Sequence, residues 1–333
     1  MRGERAPRLH RWWTVLTVPL LASCGNELAL DPQGPGAVQI ANSWWILYWA
    51  AVAVCLIVFA ALFAAVWRRR QSAEHPQAEV RGKAVVLWGG AVIPLLLLIA
   101  TTVLILLGMR WLDAAPPEDA LAVRVTGHMF WWELEYPDAG FATANELHIP
   151  VGQPVRLELE SADVIHSFWV PQLHGKTELV PGRTNELVIQ ADAPGVYEGF
   201  CAEFCGQGHS HMRLLVVAQM PAEFDQWLEQ QAADASPPDT ELAEQGREVF
   251  GRLICSNCHS VRGVSEAVVE AGPDLTHLGS RSTLAARTLP NTRSQLANWI
   301  TDPQGIKPGT QMPATPMTGQ ELDALIEFLG VAE

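Results

Sequence analysis

The sequence predicts a membrane-anchored chain of three parts: a pair of membrane-spanning helices, an all-β sandwich or barrel, and a small helical domain. Three observations predict this organisation. Long apolar stretches lie within the first 110 residues, short alternating runs fill the middle of the chain, and a helical pattern returns after residue 239. A length of 333 residues suits two or three domains.

The N-terminal residues 1–24 have the pattern of an export signal. Four arginines within the first 11 residues precede the apolar run WWTVLTVPLLA, and small residues follow it, as in a secretory signal peptide. The closing letters LASC also resemble a bacterial lipobox, which implies cleavage before Cys24 and attachment of lipid to its sulfur. The alternative is a plain signal peptide in which Cys24 is incidental.

Two apolar stretches predict a helical hairpin over residues 40–112. Residues 44–67 and 84–109 are uncharged over 24 and 26 positions, and each exceeds the roughly 20 residues that cross a bilayer. The loop between them carries five basic residues. Basic loops stay on the cytoplasmic side, so both ends of the hairpin and everything after residue 110 are predicted to lie outside.

Residues 113–235 predict a β domain. Short alternating runs such as LAVRVTG, VRLELES and RLLVVA are separated by Gly, Pro, Asn and Asp. This pattern is typical of a sandwich or barrel with turns about every eight to twelve residues. The helical segment PAEFDQWLEQQAADA ends the domain, and SPPDT at 236–240 is predicted to be a linker.

Residues 239–333 predict a small all-α domain. The stretch ELAEQGREVF is expected to form a helix that leads into CSNCH. At the far end, Thr318 and Glu321 form a capping-box pattern. Apolar residues then recur at helical spacing from Leu322 to Leu329, which predicts a docked closing helix.

The sequence CSNCH is a heme-attachment motif. Cys255 and Cys258 would bond to the heme vinyl groups, and His259 would bind the iron from one face. A Met or His is needed on the other face, and Met raises the potential. Met312, in IKPGTQMPA, is the predicted ligand, and Met317 is the alternative. A thioredoxin-like thiol pair would need a βαβ setting, which the sequence does not show. The helix into CxxCH, the GPDL stretch, the methionine loop and the closing helix together resemble class I cytochromes c.

A second cysteine pair lies in CAEFCGQGHSHM. Cys201 and Cys205 could form a disulfide in an exported protein. His209 and Met212 favour copper instead, because thiolate, imidazole and thioether ligands together select that metal. A mononuclear blue-copper site needs one cysteine, so the second suggests two bridged coppers. His166, in SADVIHSFWVP, offers a further imidazole.

The motif C-x-E-x-C-x-x-x-H-x-x-M, with the upstream stretches DVIHSFWVP and GHMFWWELEYPD, resembles subunit II of bacterial cytochrome c oxidase. With the cytochrome-like tail it resembles the caa-type subclass, from residue 40 to the C-terminus. The resemblance implies a cupredoxin barrel and a role in aerobic respiration within a proton-translocating oxidoreductase. Electrons would pass from heme c through a binuclear copper centre, CuA, to a heme a and copper oxygen-reduction site in subunit I.

The resemblance also implies the residues of the copper centre. The Glu203 carboxylate matches a family residue that contacts a magnesium ion shared with subunit I, and Asp163 matches an acid beside the copper histidine. Four other histidines are expected to be structural or surface residues: His128, His148, His174 and His211. The implied CuA ligands are His166, Cys201, Cys205, His209, Met212 and the main-chain carbonyl of Glu203.

Two positions depart from the family pattern. The aromatic cluster through which electrons come from a soluble cytochrome usually begins with Trp, but Phe130 stands there, followed by Trp131 and Trp132. This argues against direct donation at that place by a separate cytochrome and suits a tethered donor. Leu87, seven residues before Pro94, stands where many relatives place a glutamate at the mouth of a proton channel.

The net charge of −14 argues against nucleic-acid binding. It would attract a basic protein partner, and the alternative is that it only keeps the protein soluble. The resemblance implies subunits I and III, membrane lipid, and a cytochrome bc complex or small cytochrome c as the donor. It places the chain in the bacterial plasma membrane, with both domains on the periplasmic or outer side.

Three other functions compete with this prediction. A quinol oxidase subunit II typically lacks the copper ligands, and all of them are present here. Nitrous oxide reductase has a large propeller domain, for which this chain has no residues. The third alternative is a lipoprotein scaffold with disulfides at 201–205 and 255–258. Metal content would distinguish it from the oxidase subunit.

Overall fold

The structure is a computed structural model that describes residues 28–69, 78–112, 117, 120–269 and 271–330. The predicted export signal and Cys24 lie outside the described residues. The described part contains the following helices: α1 (Pro35–Arg69), α2 (Ala78–Leu87), α3 (Ile93–Leu112), α4 (Pro221–Ala232), α5 (Glu241–Arg252), α6 (Arg293–Thr301), α7 (Pro303–Ile306) and α8 (Gly319–Phe328).

Two helical stretches, at 35–68 and 82–110, are long and apolar enough to cross a membrane. Large apolar side chains are exposed along both, and Phe59 and Leu98 each show more than three fifths of their surface. Within the described residues no protein covers these surfaces. A contiguous apolar surface of this kind needs an apolar partner, and both helices fit the predicted membrane spans by length and composition.

The first turns of α1 pack on the β domain, which the apolar pattern did not predict. The helix begins at Pro35, whereas the predicted apolar span begins at residue 44. Ala37 and Ala41 are buried, and the Ala37 N–H donates to the Leu173 carbonyl at 3.0 Å. The start of the first span is therefore packed directly on the β domain.

The second span contains a π-helical segment, Trp88–Val92, between α2 and α3. The Ile93 N–H bonds to the Trp88 carbonyl, five residues back. Pro94 follows directly, and in a regular helix its ring would clash with the carbonyl of residue 90. The wider π turn removes this clash without ending the helix.

The β domain consists of two five-stranded sheets, with strand orders β3-β2-β1-β5-β8 and β4-β10-β9-β6-β7. The β1–β5 and β4–β10 pairs are parallel, and the other pairs in these sheets are antiparallel. The strands are β1 (Leu121–His128), β2 (Trp131–Tyr136), β3 (Phe141–Ala144), β4 (Glu146–Pro150), β5 (Val155–Ser161), β6 (His166–Trp169), β7 (Thr177–Leu179), β8 (Asn185–Ile189), β9 (Gly195–Cys201) and β10 (Arg213–Gln219).

Alternation of buried and exposed residues builds the core of this sandwich. In β1 and β2 every second side chain is buried, as the two-residue period of a strand requires. Trp132, Leu134 and Phe168 are among the fully buried residues of the resulting core. The predicted β sandwich is confirmed.

The C-terminal domain is helical, as predicted, with one addition. The capping box of Thr318 and Glu321 is formed at the start of α8, and Leu325 and Ile326 are buried against α5 and α6. The addition is a short hairpin of β11 (Thr283–Leu284) and β12 (Leu289–Pro290). Strands of two residues leave too little periodic pattern to be recognised from sequence.

Helices α5 and α8 cross at Gly246. A Cβ atom at this position would lie 2.0 Å from the Ala324 carbonyl oxygen, so only glycine permits the contact. We expect Gly246→Ala to lower the free energy of unfolding of this domain by about 1–3 kcal/mol through overpacking. Gly251→Ala is the matched control because nothing lies within 4 Å of that position on the same helix. Urea unfolding followed by circular dichroism measures both, and equal stability of the two variants would contradict the expectation.

Candidate metal centres

The first candidate centre lies at one end of the β sandwich. His166 begins β6, Cys201 ends β9, and residues 201–212, here called the cysteine loop, lead back into β10. The loop is closed at its base by the Cys201 N–H, which donates to the Met212 carbonyl at 3.0 Å. Strand ends and a short loop thus bring distant and local side chains together.

Five side chains and one carbonyl of the predicted copper site converge. Cys201 Sγ lies 3.9 Å from both Cys205 Sγ and His166 Nδ1, and 3.2 Å from the Glu203 carbonyl oxygen. Cys205 Sγ lies 3.6 Å from His209 Nδ1 and 3.9 Å from Met212 Sδ. Sulfur and nitrogen ligands bound at about 2.3 and 2.0 Å to one metal lie within about 4 Å of each other. The spacing therefore fits a metal centre without rearrangement of the chain.

Burial and hydrogen bonding prepare His166 as a ligand. Its side chain is fully buried, and a 2.7 Å hydrogen bond joins Nε2 to Asp163 Oδ1. The carboxylate can only accept, so Nε2 donates, and Nδ1, 3.9 Å from Cys201 Sγ, is the ring nitrogen left for a metal. A carboxylate behind a histidine ligand fixes the ring and its tautomer. The Met129 N–H also donates to Asp163, at 2.7 Å.

The two thiols of the pair shift each other's pKa in opposite directions. The hydrogen bond with Cys205 lowers the pKa of the Cys201 thiol, although burial opposes the charge. The same contact and burial raise the pKa of Cys205. The pair therefore holds one thiolate readily, and a bound cation would be needed to remove the second proton.

The disulfide alternative is not realised among the described residues. The cysteines there are all free: Cys55, Cys201, Cys205, Cys255 and Cys258.

The second candidate centre is a cavity of about 350 Å³ in the C-terminal domain. Cys255, Cys258, His259 and Met312 all line it, together with apolar residues of α5, α6 and α8. Met312 is one of the described residues that line this cavity, and Met317 is not. The cavity therefore favours Met312 over Met317, the alternative iron ligand that the sequence left open.

His259 is held as a neutral imidazole. Burial lowers its pKa, while a 2.8 Å hydrogen bond from Nδ1 to the Pro273 carbonyl acts in the opposite direction. With the proton on Nδ1, the Nε2 lone pair is free to bind a metal. Two thiols, one imidazole and one thioether around an apolar cavity are the groups that a covalently attached heme requires.

The β domain supplies one wall of the same cavity, through Met129, Phe130 and Trp131. Phe130 is 4% exposed, so a separate protein cannot contact its ring in this arrangement. A Cβ atom on Gly208 of the cysteine loop would lie 2.3 Å from the Phe130 ring, and one on Gly309 would lie 3.4 Å from it. The ring therefore lies between the cysteine loop and the loop that leads to Met312.

The other aromatic and histidine residues have structural contacts. Trp132 is fully buried, with its ring centre 6.2 Å from that of His166. His128 stacks on Trp131 at 4.3 Å. His148 stacks on Trp227 at 4.0 Å. His174 lies against the start of α1, and His211 follows His209 in the cysteine loop.

Sequence reasoning missed three polar residues at the boundary between the two domains. Glu146 and Lys307 are buried there, and Arg281 is partly buried. Sequence analysis had assigned their segments to other features: Glu146 to a strand, Arg281 to a loop and Lys307 to the loop that carries Met312. The one available signal was a lysine beside a predicted heme ligand, and lysine is rarely buried unless it is paired.

The fold and the two donor sets define a class: a membrane-anchored electron-transfer protein with a cupredoxin-type copper domain and a cytochrome c domain. A family model described as cytochrome c oxidase subunit II, periplasmic domain, matches residues 140–219, and one described as cytochrome c matches residues 243–331. These domains imply a CuA copper centre and a heme c.

Relatives extend the match over nearly the whole chain. Cytochrome c oxidase subunit 2 of Alkalihalophilus pseudofirmus is 39% identical over 94% of this chain and 94% of its own length. That of Bacillus subtilis is 34% identical over 72% of each chain. The crystal structure of the periplasmic domain of subunit II of cytochrome oxidase of Bradyrhizobium japonicum is 30% identical, covers 35% of this chain and 96% of that one, and has a TM-score of 0.34.

The chain belongs to the cytochrome c oxidase subunit 2 family. It is thus a subunit of a heme-copper oxidase, an oxidoreductase complex, and subunit I is its partner.

Proposed function

We propose that this chain is the electron-transfer subunit of its oxidase, which accepts electrons at a heme c and delivers them through CuA to subunit I. The convergence of six donor groups at the cysteine loop, next to the CxxCH cavity, supports this most directly. The proposed division is residues 40–112 for the membrane hairpin, 113–235 for the copper domain and 239–333 for the cytochrome domain.

The copper pair, when bound, exchanges one electron while sharing the oxidised charge between two ions. His166, Cys201, Cys205, His209, Met212 and the Glu203 carbonyl would hold it. Burial of the thiols and of Met212 keeps water from these donors, and the Asp163 carboxylate keeps His166 in its ligand tautomer. The side chain of Glu203 is nearly half exposed, with Lys176 Nζ 4.0 Å from the carboxylate. This exposure suits the predicted magnesium contact with subunit I.

The heme, when bound, supplies a one-electron iron couple. Cys255 and Cys258 would attach it, and His259 and Met312 would bind its iron. A donor on the same chain acts at an effective concentration of about millimolar, so no docking collision is needed. Because Phe130 is covered, a cytochrome bc complex or small cytochrome c would donate to the heme and not at the aromatic cluster.

The remaining parts of the proposal concern placement. The basic loop between the spans supports a cytoplasmic position for that loop, with the copper and cytochrome domains on the outer side. Contact with subunit III, export of the chain and lipid on Cys24 are proposed from the sequence pattern.

Metal content of the full chain tests the proposal. The chain would be expressed in a host that attaches heme and supplies copper, and then purified in detergent. Copper and iron would be measured per chain. We expect two coppers and one covalent heme, with electrons shared between them after reduction of the heme. The copper assignment would be wrong if the chain contained heme but no copper and mass spectrometry found a disulfide at 201–205.

A further inference from the structure

The β11–β12 hairpin of the cytochrome domain contacts the copper domain through buried polar groups. We call residues 282–290 the docking hairpin. Glu146, at the start of β4, is 5% exposed and accepts hydrogen bonds from four groups of the hairpin. These are the N–H and hydroxyl groups of Ser282 and Thr283, at 2.7–3.0 Å from one carboxylate oxygen. Hydrogen bonds to a buried charged group are among the strongest in proteins.

The turn of the docking hairpin makes a second contact. Ala285, Ala286 and Arg287 all have positive φ values, of 53°, 55° and 62°. Three consecutive non-glycine residues in the left-handed region are unfavourable by themselves, so other contacts must hold the turn. Arg287 forms an ion pair with Glu198 on β9, and Ala286 is 1% exposed.

Lys307 joins this turn to the wall of the heme cavity. Its side chain is 2% exposed. The Nζ group donates to the Phe130 carbonyl at 2.6 Å and to the Ala285 carbonyl at 3.0 Å. One buried amine therefore binds the copper domain, the docking hairpin and, through its own backbone, the loop that carries Met312.

These contacts surround the Phe130 ring, which lies between Gly208 and Gly309. A flexible linker alone would not need any of them, since tethering by itself raises the effective concentration of the donor. A buried carboxylate with four donors and a buried amine with two acceptors are strongly unfavourable when they are separated from their partners. They indicate one fixed arrangement of the two domains.

We propose that Glu146, Lys307 and the docking hairpin form a latch that fixes the cytochrome domain on the copper domain, and that Lys307 is a positioning residue for Phe130 between the two redox sites. The inference rests on the proposed function. It adds that the cytochrome domain works in a docked position and does not swing on its linker. In the step concerned, one electron leaves the reduced heme iron and reduces the oxidised copper pair, with no proton or bond exchanged.

Amide hydrogen exchange of the full chain, loaded with copper and heme in detergent, tests the latch. Lys307→Met keeps an unbranched side chain, one atom shorter than lysine, and removes its donor. The readout is the exchange of the Ser282 and Thr283 amides, which bond to Glu146 and do not contact Lys307. We expect this exchange to rise about tenfold or more, as loss of the two buried hydrogen bonds of the Lys307 amine implies. Heme-to-copper electron transfer after a reducing flash should slow by about tenfold, because Phe130 loses the donor that fixes its carbonyl between the two sites.

Two further variants complete the test. Thr283→Val removes one hydroxyl donor to Glu146 with little change of shape, and should raise exchange at Ser282 in the same way even if Lys307→Met folds poorly. Arg252→Gln, on the exposed face of α5 where it pairs with Glu321, is the matched control and should leave both measurements within about twofold.

Three outcomes would overturn the proposal. Unchanged exchange at Ser282 and Thr283 would show that Lys307 does not hold the domains together. Exchange raised equally in α8 would show that Lys307 stabilises the cytochrome domain as a whole. Raised amide exchange with an unchanged rate of electron transfer would show that Lys307 does not position Phe130. Absence of copper in the unmodified chain would contradict the proposed function alone, because the amide measurement does not depend on metal.

Discussion

Replacing Cys205 by serine is expected to abolish the binuclear copper signal while the heme stays attached and reducible. Cys205 Sγ lies within 3.9 Å of three other donor atoms, those of Cys201, His209 and Met212. A serine hydroxyl is a hard, neutral group, whereas copper of this kind selects soft thiolates. With one thiolate left, at most a mononuclear site remains. Copper per chain and electron paramagnetic resonance measure the loss.

Cys55→Ser is the control for this change. Cys55 is exposed on α1 and belongs to neither centre, so copper content and the mixed-valence signal should stay as in the unmodified chain. The heme domain should also be unaffected by Cys205→Ser, because its ligands lie on other segments. A mixed-valence signal that survives in Cys205→Ser would overturn the ligand assignment.

Replacing Met312 by alanine is expected to lower the heme potential and slow electron entry into the heme, while copper stays bound. Met312 lines the cavity with Cys255, Cys258 and His259. Thioether ligation raises the potential of heme iron, and axial ligands set heme potentials over roughly 0.8 V. Loss of the ligand should therefore move the potential downward by a sizeable part of that range. A redox titration of the heme absorbance, with copper analysis of the same sample, measures both effects.

Met317→Ala is the matched control, since Met317 packs against the core of the cytochrome domain but is not among the residues that line the cavity. It should lower stability by a few kcal/mol at most and leave the heme potential in place. If Met317→Ala lowers the potential and Met312→Ala does not, Met317 is the iron ligand.

Much of the architecture could be predicted because its determinants are local. Twenty or more uncharged residues in a row predict a membrane span, and the two-residue period of the β runs predicts strands. CSNCH places two thiols and an imidazole within five residues, so any fold that accepts this segment keeps them together. The cysteine loop likewise carries four of its ligands within twelve residues. His166 was at first only a candidate imidazole, and its place among the ligands was implied by the family resemblance, because spacing alone does not connect it to the loop.

The contacts that the sequence did not predict join residues far apart in the chain. Glu146 is 136 residues from Ser282, and Lys307 is 177 residues from Phe130. The early start of α1 also depends on residues far apart in the chain. Its first turns are buried by the β domain, and their own composition did not predict this.

Sequence by itself therefore determined the three-part organisation, and it predicted the type of each redox site and most of the residues assigned to each. Periodicity and short spacing are properties of a single segment, and they survive whatever the rest of the chain does. The tertiary structure alone decided that Met312 and not Met317 lines the cavity, that Phe130 is covered, and that Lys307 and Glu146 join the domains. Those facts depend on which surfaces meet, and a buried charge becomes recognisable only when its partners are in place.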